Sequence, residues 1–295
     1  MKRTLLLTAP ALLAIAGVSH PSAQMLNREA PVRVGHYHLN VTSVADHKKF
    51  WVDGLGGTAG KVGNEEVVKF GDVILFLHAQ KPTGGTRTST IDHVGLAAPD
   101  VPALAMKVVS AGYQRTVGRE GGAGAAAPAG GQSAVYGRFE YLLGPDNVKV
   151  ELVTAMDAKT APPIAHHHVH FINTQYVEMR DWYVKTLDAT PRTGPNTFTD
   201  YFAGADLPGI GYMLNFFHWE VKEPMATTTA GRVIDHVGFE VRDLEAFCKK
   251  LEGKGIKLTQ AYRKGSPLGA NVATAMLVDP WGTVIELTEG LDKTL

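Results

Sequence analysis

The sequence has a single cysteine, Cys248, among its 295 residues, so no disulfide can form within the chain. It also lacks an excess of charge, because 29 basic and 29 acidic residues balance to a formal net charge of zero. A nucleic-acid-binding protein clusters Lys and Arg to neutralise phosphates, and no such run occurs. The composition therefore argues against nucleic acid as the main partner. Without an internal disulfide, the fold must be stabilised by packing alone, and a hydrophobic content of 44% suffices for this.

Long apolar runs are missing everywhere except at the N-terminus. There Lys2 and Arg3 precede an apolar stretch over residues 5–18, which is followed by small residues. This layout is typical of a signal peptide, and the stretch is too short to span a bilayer comfortably. We expect a signal peptide over residues 1–24 and a periplasmic or secreted mature protein without a membrane segment. An uncleaved membrane anchor is the alternative.

Four segments of the chain begin alike, at residues 35–40, 92–96, 167–171 and 235–239. Each beginning alternates with period two and contains β-branched or aromatic residues, which indicates a strand. Each is followed by a stretch with helical periodicity, at 44–55, 101–111, 177–187 and 244–254. Strand-like runs separated by turn residues come next. The sequence therefore predicts four copies of a unit with a strand, a helix and two or three further strands.

The units also form a longer repeat, because the odd units resemble each other and the even units resemble each other. His36 and His168 are 132 positions apart, and Glu151 and Glu286 are 135 apart. We therefore predict a duplicated two-unit domain, with a first domain over 31–157 and a second over 164–291. The low-complexity Gly/Ala stretch at 121–131 is predicted to be a mobile loop at the mouth of the first domain.

Ligand-type side chains recur in register within this repeat. Side chains two apart on a strand share a face, so His36 points with His38, and His168 points with His170. Each even unit ends in a strand that carries a glutamate between apolar neighbours, and such a carboxylate is costly to bury unless it is paired or bound to metal. The two predicted sets are His36, His93 and Glu151 in the first half, and His168, His236 and Glu286 in the second half.

Two histidines and one carboxylate that leave coordination positions open form a recognised divalent-metal arrangement. Imidazole nitrogen and carboxylate oxygen suit Fe(II), Mn(II), Ni(II), Co(II) or Zn(II). The sequence therefore predicts a metal site in each half, and the fuller Asp-Pro-x-Gly turn at 279–282 favours the second half for chemistry. The nearby run His166 to His170 is expected either to bind metal adventitiously on the surface or to place His170 in the pocket wall.

Segments 234–241 and 279–287 carry a resemblance to a known superfamily, and segment 91–96 repeats the first of them. The chain resembles the vicinal-oxygen-chelate superfamily of glyoxalase I, extradiol dioxygenases, methylmalonyl-CoA epimerase and the fosfomycin and bleomycin resistance proteins, over roughly residues 32–291. This resemblance implies an α+β fold of four βαβββ modules paired into two tandem domains with curled mixed sheets. It also implies metal ligands on the first strand of each module and on the last strand of the second.

The chain departs from the family pattern at two places. Glyoxalase I typically has a carboxylate ligand on the last strand of the first module, where the runs 75–78 and 215–218 carry His78 and His218 instead. We predict each of these histidines as a fourth ligand or as a catalytic acid–base group beside the metal. Extradiol enzymes usually show a histidine and a tyrosine upstream of the Asp-Pro turn, and Ala270, Asn271 and Val278 in that region weaken the ring-cleavage interpretation.

Two functions follow from these patterns. The first is a metal-dependent enzyme, a lyase, isomerase or oxygenase, whose divalent ion chelates two adjacent oxygens of a small substrate. The alternative is a metal-free protein that binds or sequesters a small molecule, as in the bleomycin resistance branch. The aromatic strand residues Phe76, Phe216, Phe217 and Trp219 favour this alternative.

Overall fold

The computed structural model of the chain describes residues 30–118, 129–133, 136–154, 164–193, 198–208, 213–219 and 222–294. The predicted signal peptide, most of the Gly/Ala-rich stretch and residues 157–163, which we predict to be the linker between the two domains, lie outside these ranges. Within them, no helix is both long enough and apolar enough to cross a membrane.

The described residues form four modules, each with an initial strand, a helix and further strands. The first contains β1 (Val32–Val41), α1 (Val44–Lys48), a π-helical turn (Lys49–Gly54), β2 (Thr58–Val62), β3 (Glu65–Phe70) and β4 (Val73–Ala79). The second contains β5 (Ile91–Ala97), α2 (Val101–Ser110), β6 (Gln114–Arg115), β7 (Gly130–Ser133), β8 (Gly137–Leu143) and β9 (Lys149–Val153). The third contains β10 (Ala165–Ile172), α3 (Tyr176–Leu187), β11 (Thr190–Pro191), β12 (Phe198–Thr199), β13 (Phe202–Asp206) and β14 (Met213–Phe217). The fourth contains β15 (Ile234–Val241), α4 (Leu244–Gly253), β16 (Leu258–Arg263), β17 (Ala273–Val278), β18 (Val284–Glu289) and a final 3-10 turn (Leu291–Lys293).

Side-chain caps fix where three of the helices begin. Ser43, Asp100 and Asp243 each accept a hydrogen bond from the backbone N–H three residues later, which satisfies one of the free donors of the first turn. Helix α3 ends at Asp188, whose left-handed φ of 55° stops further helical hydrogen bonding.

The strands form two mixed sheets. Sheet A has eight strands in the order β16-β17-β18-β15-β1-β4-β3-β2. Sheet B has ten strands, in the order β11-β13-β14-β10-β5-β9-β8-β6 with β12 on β13 and β7 on β8. Both sheets combine parallel and antiparallel pairs, as in β1 with β4 and β1 with β15. The predicted fold class, α+β with four modules in two curled mixed sheets, is confirmed.

The modules pair differently from the sequence-based prediction. Strand β1 runs antiparallel to β15, with Tyr37 opposite Val237, and β5 runs antiparallel to β10, with Val94 opposite Val169. The first and fourth modules therefore share sheet A, and the second and third share sheet B. The predicted pairing of consecutive modules within 31–157 and 164–291 is wrong. The initial strands of all four modules have the same pattern, so the sequence does not determine which two pair.

One hydrophobic core extends through both sheets and all four helices, and its largest fully buried side chains include Trp51, Tyr37 and Tyr183. A smaller apolar cluster lies on the opposite, concave face of sheet A. Its buried members are Val62, Val67, Ile74, Phe76, Val272 and Leu291. Since Ile74 and Phe76 lie beside His36 and His38 in the parallel register of β4 with β1, this cluster borders the predicted ligands.

Polar contacts also tie the first module to the second. The Asp146 carboxylate accepts hydrogen bonds from the Thr42 N–H and hydroxyl at 2.7 Å each, and lies 3.1 Å from His47 Nε2. Because Trp51 Nε1 donates to His47 Nδ1 at 3.1 Å, the His47 proton resides on Nε2 and points at Asp146. This chain of contacts joins the helix of one module to a turn of the next.

Candidate metal sites

Site A lies on the concave face of sheet A and gathers four ligand-type side chains from three strands. They are His36 and His38 of β1, His236 of β15 and Glu286 of β18, and one ligand atom from each lies within 4.8 Å of all the others. Glu286 Oε2 is 2.8 Å from His36 Nε2, 3.4 Å from His236 Nε2 and 3.8 Å from His38 Nε2. Three imidazoles therefore converge on one carboxylate oxygen.

The glycine of each Asp-His-Val-Gly motif makes room for this convergence. The His36 ring lies over Gly238, where a Cβ would come within 1.9 Å of the ring. At the equivalent place in sheet B, a Cβ on Gly95 would come within 2.1 Å of the His168 ring. Each glycine leaves the space in which a histidine from the neighbouring strand lies, so the motif specifies the site as well as the strand.

A carboxylate beside His236 sets the orientation of its ring. His236 Nδ1 lies 2.7 Å from Asp235 Oδ1, and Asp235 Oδ2 in turn accepts hydrogen bonds from the Gly231 N–H and from Asn40. The Nδ1 proton is held by Asp235, which leaves Nε2 facing Glu286. Burial lowers the pKa of His236, but its hydrogen bonds to Asp235 and Glu286 outweigh burial and raise that pKa to about 9. Burial raises the pKa of Glu286, but hydrogen bonds to His236 and His36 outweigh it and lower the pKa.

The environment of His38 is that of a neutral imidazole that could act as a metal ligand. Its ring stacks between Phe76 and His236, with centroid separations of 4.3 Å to each. His38 Nε2 and His36 Nδ1 are buried without a hydrogen-bond partner among the described residues. Burial lowers the pKa of His38 well below its usual value. Neutral buried imidazoles with unpartnered nitrogens beside a carboxylate fit a divalent metal ion.

Site B lies on sheet B and has the same composition. It contains His93 of β5, Glu151 of β9, and His168 and His170 of β10, again with ligand atoms within 4.8 Å of one another. Glu151 Oε2 lies 3.0 Å from His168 Nε2 and 3.1 Å from His93 Nε2. The His170 ring is 4.2 Å from that of His93, and its Nδ1 is buried without a partner among the described residues. This donor set also fits a divalent ion.

The surroundings of site B are more closed than those of site A. Asp92 accepts from His93 Nδ1 at 2.7 Å and pairs with Lys149 Nζ at 2.6 Å. His167 Nδ1 lies 2.9 Å from His168 Nδ1. The side chains of His93, Glu151 and His168 are 1%, 4% and 0% exposed, whereas those of His38, His236 and Glu286 are 20%, 11% and 11% exposed. Solvent reaches site A more readily than site B.

The six predicted metal ligands all lie in these two clusters, but in different groups from the predicted ones. His36 lies with His236 and Glu286, while His168 lies with His93 and Glu151. The grouping differs because the sheets pair the first module with the fourth and the second with the third. His38 and His170 were not predicted as ligands, although two-residue spacing on a strand places them on the same face as His36 and His168.

The structure brings neither predicted catalytic histidine into a cluster. His78 lies opposite Asn40 on the site A face of β4, two residues beyond Phe76, with its side chain 50% exposed and 3.5 Å from Glu65. His218 follows β14, and its ring lies 6.0 Å from that of Tyr176 in α3.

The two predicted catalytic histidines are not equivalent positions. The parallel registers align His78 of β4 with Phe217 of β14. The sequence-based alignment of His78 with His218 was therefore shifted by one residue. That one-residue displacement puts His218 on the opposite face from Phe217, which stacks on His170 at 4.4 Å.

The histidine run at 166–170 is buried, so its interpretation as an adventitious surface site is wrong. His166 Nε2 lies 2.7 Å from the hydroxyl of Tyr37, a residue of the opposite sheet. The run therefore contributes two residues to site B, one beside it and one to the contact between the sheets.

Comparisons with known proteins agree with this architecture. Residues 165–287 match the profile of the Glyoxalase/Bleomycin resistance protein/Dioxygenase superfamily. A mutant of glyoxalase I from Zea mays is 18% identical with a TM-score of 0.62, over 90% of this chain and 96% of that one. A further structure of glyoxalase I from Zea mays is 17% identical with a TM-score of 0.60, over 90% and 95% of the two chains.

A putative dioxygenase from Bacillus subtilis is 10% identical with a TM-score of 0.64, over 87% of this chain and 84% of that one. No curated protein matches the sequence. The shared fold thus extends over all four modules, while the match to the Glyoxalase/Bleomycin resistance protein/Dioxygenase superfamily covers residues 165–287.

Proposed function

We propose that the protein is a divalent-metal-dependent enzyme that acts on a small molecule with two adjacent oxygen atoms, and that site A is its reaction centre. The observation that carries this proposal is the convergence of three imidazoles and one carboxylate within 4.8 Å. This donor set suits Fe(II), Mn(II), Co(II), Ni(II) or Zn(II). Site A is chosen over site B because three of its four ligand side chains, those of His38, His236 and Glu286, remain partly open to solvent.

His36, His38, His236 and Glu286 would hold the ion. When bound, a divalent ion supplies Lewis-acid polarisation of substrate oxygens. The protein's own part is to fix these donors in place. Asp235 holds the Nδ1 proton of His236, so that Nε2 remains turned towards Glu286.

The apolar cluster beside site A closes one side of the site. Phe76 stacks on His38, and Ile74, Val67 and Leu291 continue the apolar wall away from it. Because the buried members of this cluster are at most 2% exposed, the wall keeps water from that side of the site.

A proton-transfer role for His78 remains part of the proposal. Its half-exposed ring lies at the rim of site A and pairs with Glu65, which suits exchange of protons with solvent. Whether the reaction is a lyase, isomerase or oxygenase reaction is decided by assay with hemithioacetal, α-hydroxy carbonyl and catechol probes.

The test compares Glu286→Gln with Glu151→Gln as its matched control in the other site. Metal content is measured by mass spectrometry on protein purified without added metal, and turnover is measured on the three probe classes. We expect Glu286→Gln to abolish turnover and remove the site A ion, while Glu151→Gln retains turnover. Undiminished turnover in Glu286→Gln would overturn the assignment of site A.

A second candidate is a metal-free binder of apolar molecules, which would have to enter between the buried members of the concave apolar cluster of sheet A. The melting temperature with and without a chelator separates the two functions, because an ion bound to the native state raises apparent stability. An unchanged melting temperature, together with saturable binding of an apolar dye, would support the binder.

We also propose that the protein is exported, on the strength of the basic, apolar and small-residue layout of residues 1–24. Cell fractionation and N-terminal sequencing of the mature protein test this. Full-length protein in the cytoplasm would contradict it.

A further inference from the structure

We infer that the two sites divide their tasks, with site B permanently holding an occluded metal ion that fastens sheet B together while site A remains open for exchange and substrate. This inference rests on the proposed function only in that site A binds a divalent ion, since the ion at site B is inferred from the donor set of that site itself. Several positions that are equivalent in the two sheets differ in chemistry.

The strand registers identify the equivalent positions. Gly95 lies opposite Glu151 as Gly238 lies opposite Glu286, so the two carboxylates correspond. Their antiparallel neighbours are Tyr141 in site B and Met276 in site A. Tyr141 is the strand partner of Glu151, and its ring meets that of His93 edge-on at 5.4 Å. A methionine has no hydroxyl to donate, so Met276 leaves the remaining lone pairs of Glu286 available.

A second tyrosine covers another ligand of site B. The Tyr136 ring stacks on His168 with an interplanar angle of 13° and a centroid separation of 5.7 Å. Its hydroxyl accepts a hydrogen bond from Asn215 Nδ2 at 3.0 Å, which fixes the ring in place. Asn215 corresponds in register to Phe76 of site A.

The histidines of site A are covered differently. In the part of the chain that the structure describes, their rings contact only one another and the ring of Phe76, either stacked or edge-on. Among the described residues, no tyrosine ring therefore covers the histidines of site A as Tyr136 and Tyr141 cover those of site B.

The groups that hold the histidine ligands in position also differ between the two sites, and again those of site B are more buried. In site B, Lys149 pairs with Asp92 at 2.6 Å and also donates to the Gly118 carbonyl at 3.1 Å. The equivalent position in site A is Val284, which has no charge. Asp92 is 8% exposed, whereas Asp235 is 25% exposed. A ligand whose carboxylate partner is buried and anchored by a lysine is held more rigidly.

Two consequences follow for an ion in site B. Its donors come from β5, β9 and β10, so the ion would join the second module to the third across the centre of sheet B. Because tyrosine side chains and buried ligands close the site, the ion can leave only when the sheet opens locally. Release from site B should therefore be slower than release from site A, and loss of the site B ion should lower stability.

The experiment follows Co(II) release from the metal-loaded protein. Apo protein receives Co(II), free metal is removed, excess EDTA is added, and both the visible absorbance and the metal retained after desalting are measured over time. We expect two ions per chain, one of which leaves at least about tenfold more slowly than the other. Glu286→Gln should remove the fast phase, and Glu151→Gln should remove the slow phase.

A further variant guards against misfolding of Glu151→Gln. Tyr141→Met places in site B the residue that site A has at the same position, and it should speed the slow phase while leaving the fast phase unchanged. Two ions with one common rate, or a Tyr141→Met variant with an unaltered slow phase, would overturn the inference. A single ion that is lost in Glu286→Gln but kept in Glu151→Gln would overturn it and leave the proposed function standing. An absence of bound Co(II) in all proteins would refute both.

Discussion

At the scale of single residues, the two motif glycines are the most sensitive positions of the sites. Gly238→Ala would place a Cβ 1.9 Å from the His36 ring, and Gly95→Ala would place one 2.1 Å from the His168 ring. We expect each to displace that histidine, to abolish metal binding at its own site, and to cost about 1–3 kcal/mol of stability through overpacking.

The check on this glycine prediction is metal stoichiometry combined with urea denaturation. Gly253→Ala is the control, because a Cβ there meets no atom within 4 Å and alanine is the better helix former. Retention of two ions by Gly238→Ala would contradict the role assigned to this glycine.

His47 makes the stability of the metal-free protein depend on pH. Burial lowers the pKa of His47, despite the hydrogen bond to Asp146. As the pH falls, His47 therefore takes up a proton in the unfolded chain before it does so in the folded protein. The stabilisation is complete above the unfolded pKa of 6.5 and is lost as the pH falls through 6.5 towards the lower folded value. His47→Gln should therefore lose less stability than the wild type between about pH 7.5 and about pH 5. Urea denaturation at both pH values measures this, and equal losses in the two proteins would contradict it.

Most of the ligand residues could be predicted from the sequence, because strand alternation and repetition pick out six of the eight cluster members. The other two, His38 and His170, obey the same two-residue rule but were not included. The role of Gly238 was not accessible, since it depends on a histidine about 200 residues away that crosses over it. His218 shows a third limit, because an error of one residue turns a side chain to the opposite face of a strand.

At the scale of secondary structure, the final 3-10 turn closes the apolar side of site A. Leu291 is 1% exposed and belongs to the concave cluster with Phe76 and Ile74, while Asp292 pairs with Arg33 at 2.8 Å. Leu291→Ala should cost about 2–5 kcal/mol and expose an apolar surface next to the site.

Urea denaturation and binding of an apolar fluorescent dye test this role of the turn. The neighbouring exposed Lys293→Ala, expected within about 0.5 kcal/mol of the wild type, is the control. If Leu291→Ala matched this control in both measurements, the turn would have no closing role.

The helices and strands followed well from local patterns, because periodicity and capping act over a few residues. The helix expected over 44–55 is present, although it changes from α to π geometry at Lys49. The short edge strands β6, β11 and β12 were not foreseen. They have two residues each and exist through pairing with a neighbouring strand, which no local pattern encodes.

At the scale of the whole molecule, the pairing of modules could not be predicted from the sequence, because four similar initial strands can pair in more than one way. Its physical effect is that each sheet takes one module from either side of the linker at 157–163. A protease site inserted in this linker should therefore yield two fragments that remain associated after cleavage. Size-exclusion chromatography followed by denaturing gel electrophoresis tests this, and fragments that separate without denaturant would contradict the observed pairing.

The distance along the chain between β1 and β15 has a consequence for biosynthesis. The ribosome must add about 200 residues after β1 before its antiparallel partner exists, which takes roughly 10–40 s at usual elongation rates. Strands β5 and β10 are separated by fewer than half as many residues, so sheet B can assemble on the nascent chain while β1 still waits with an unpaired edge. The reaction centre proposed here is therefore among the last parts of the polypeptide to form, and a chain truncated by premature termination would lack it altogether.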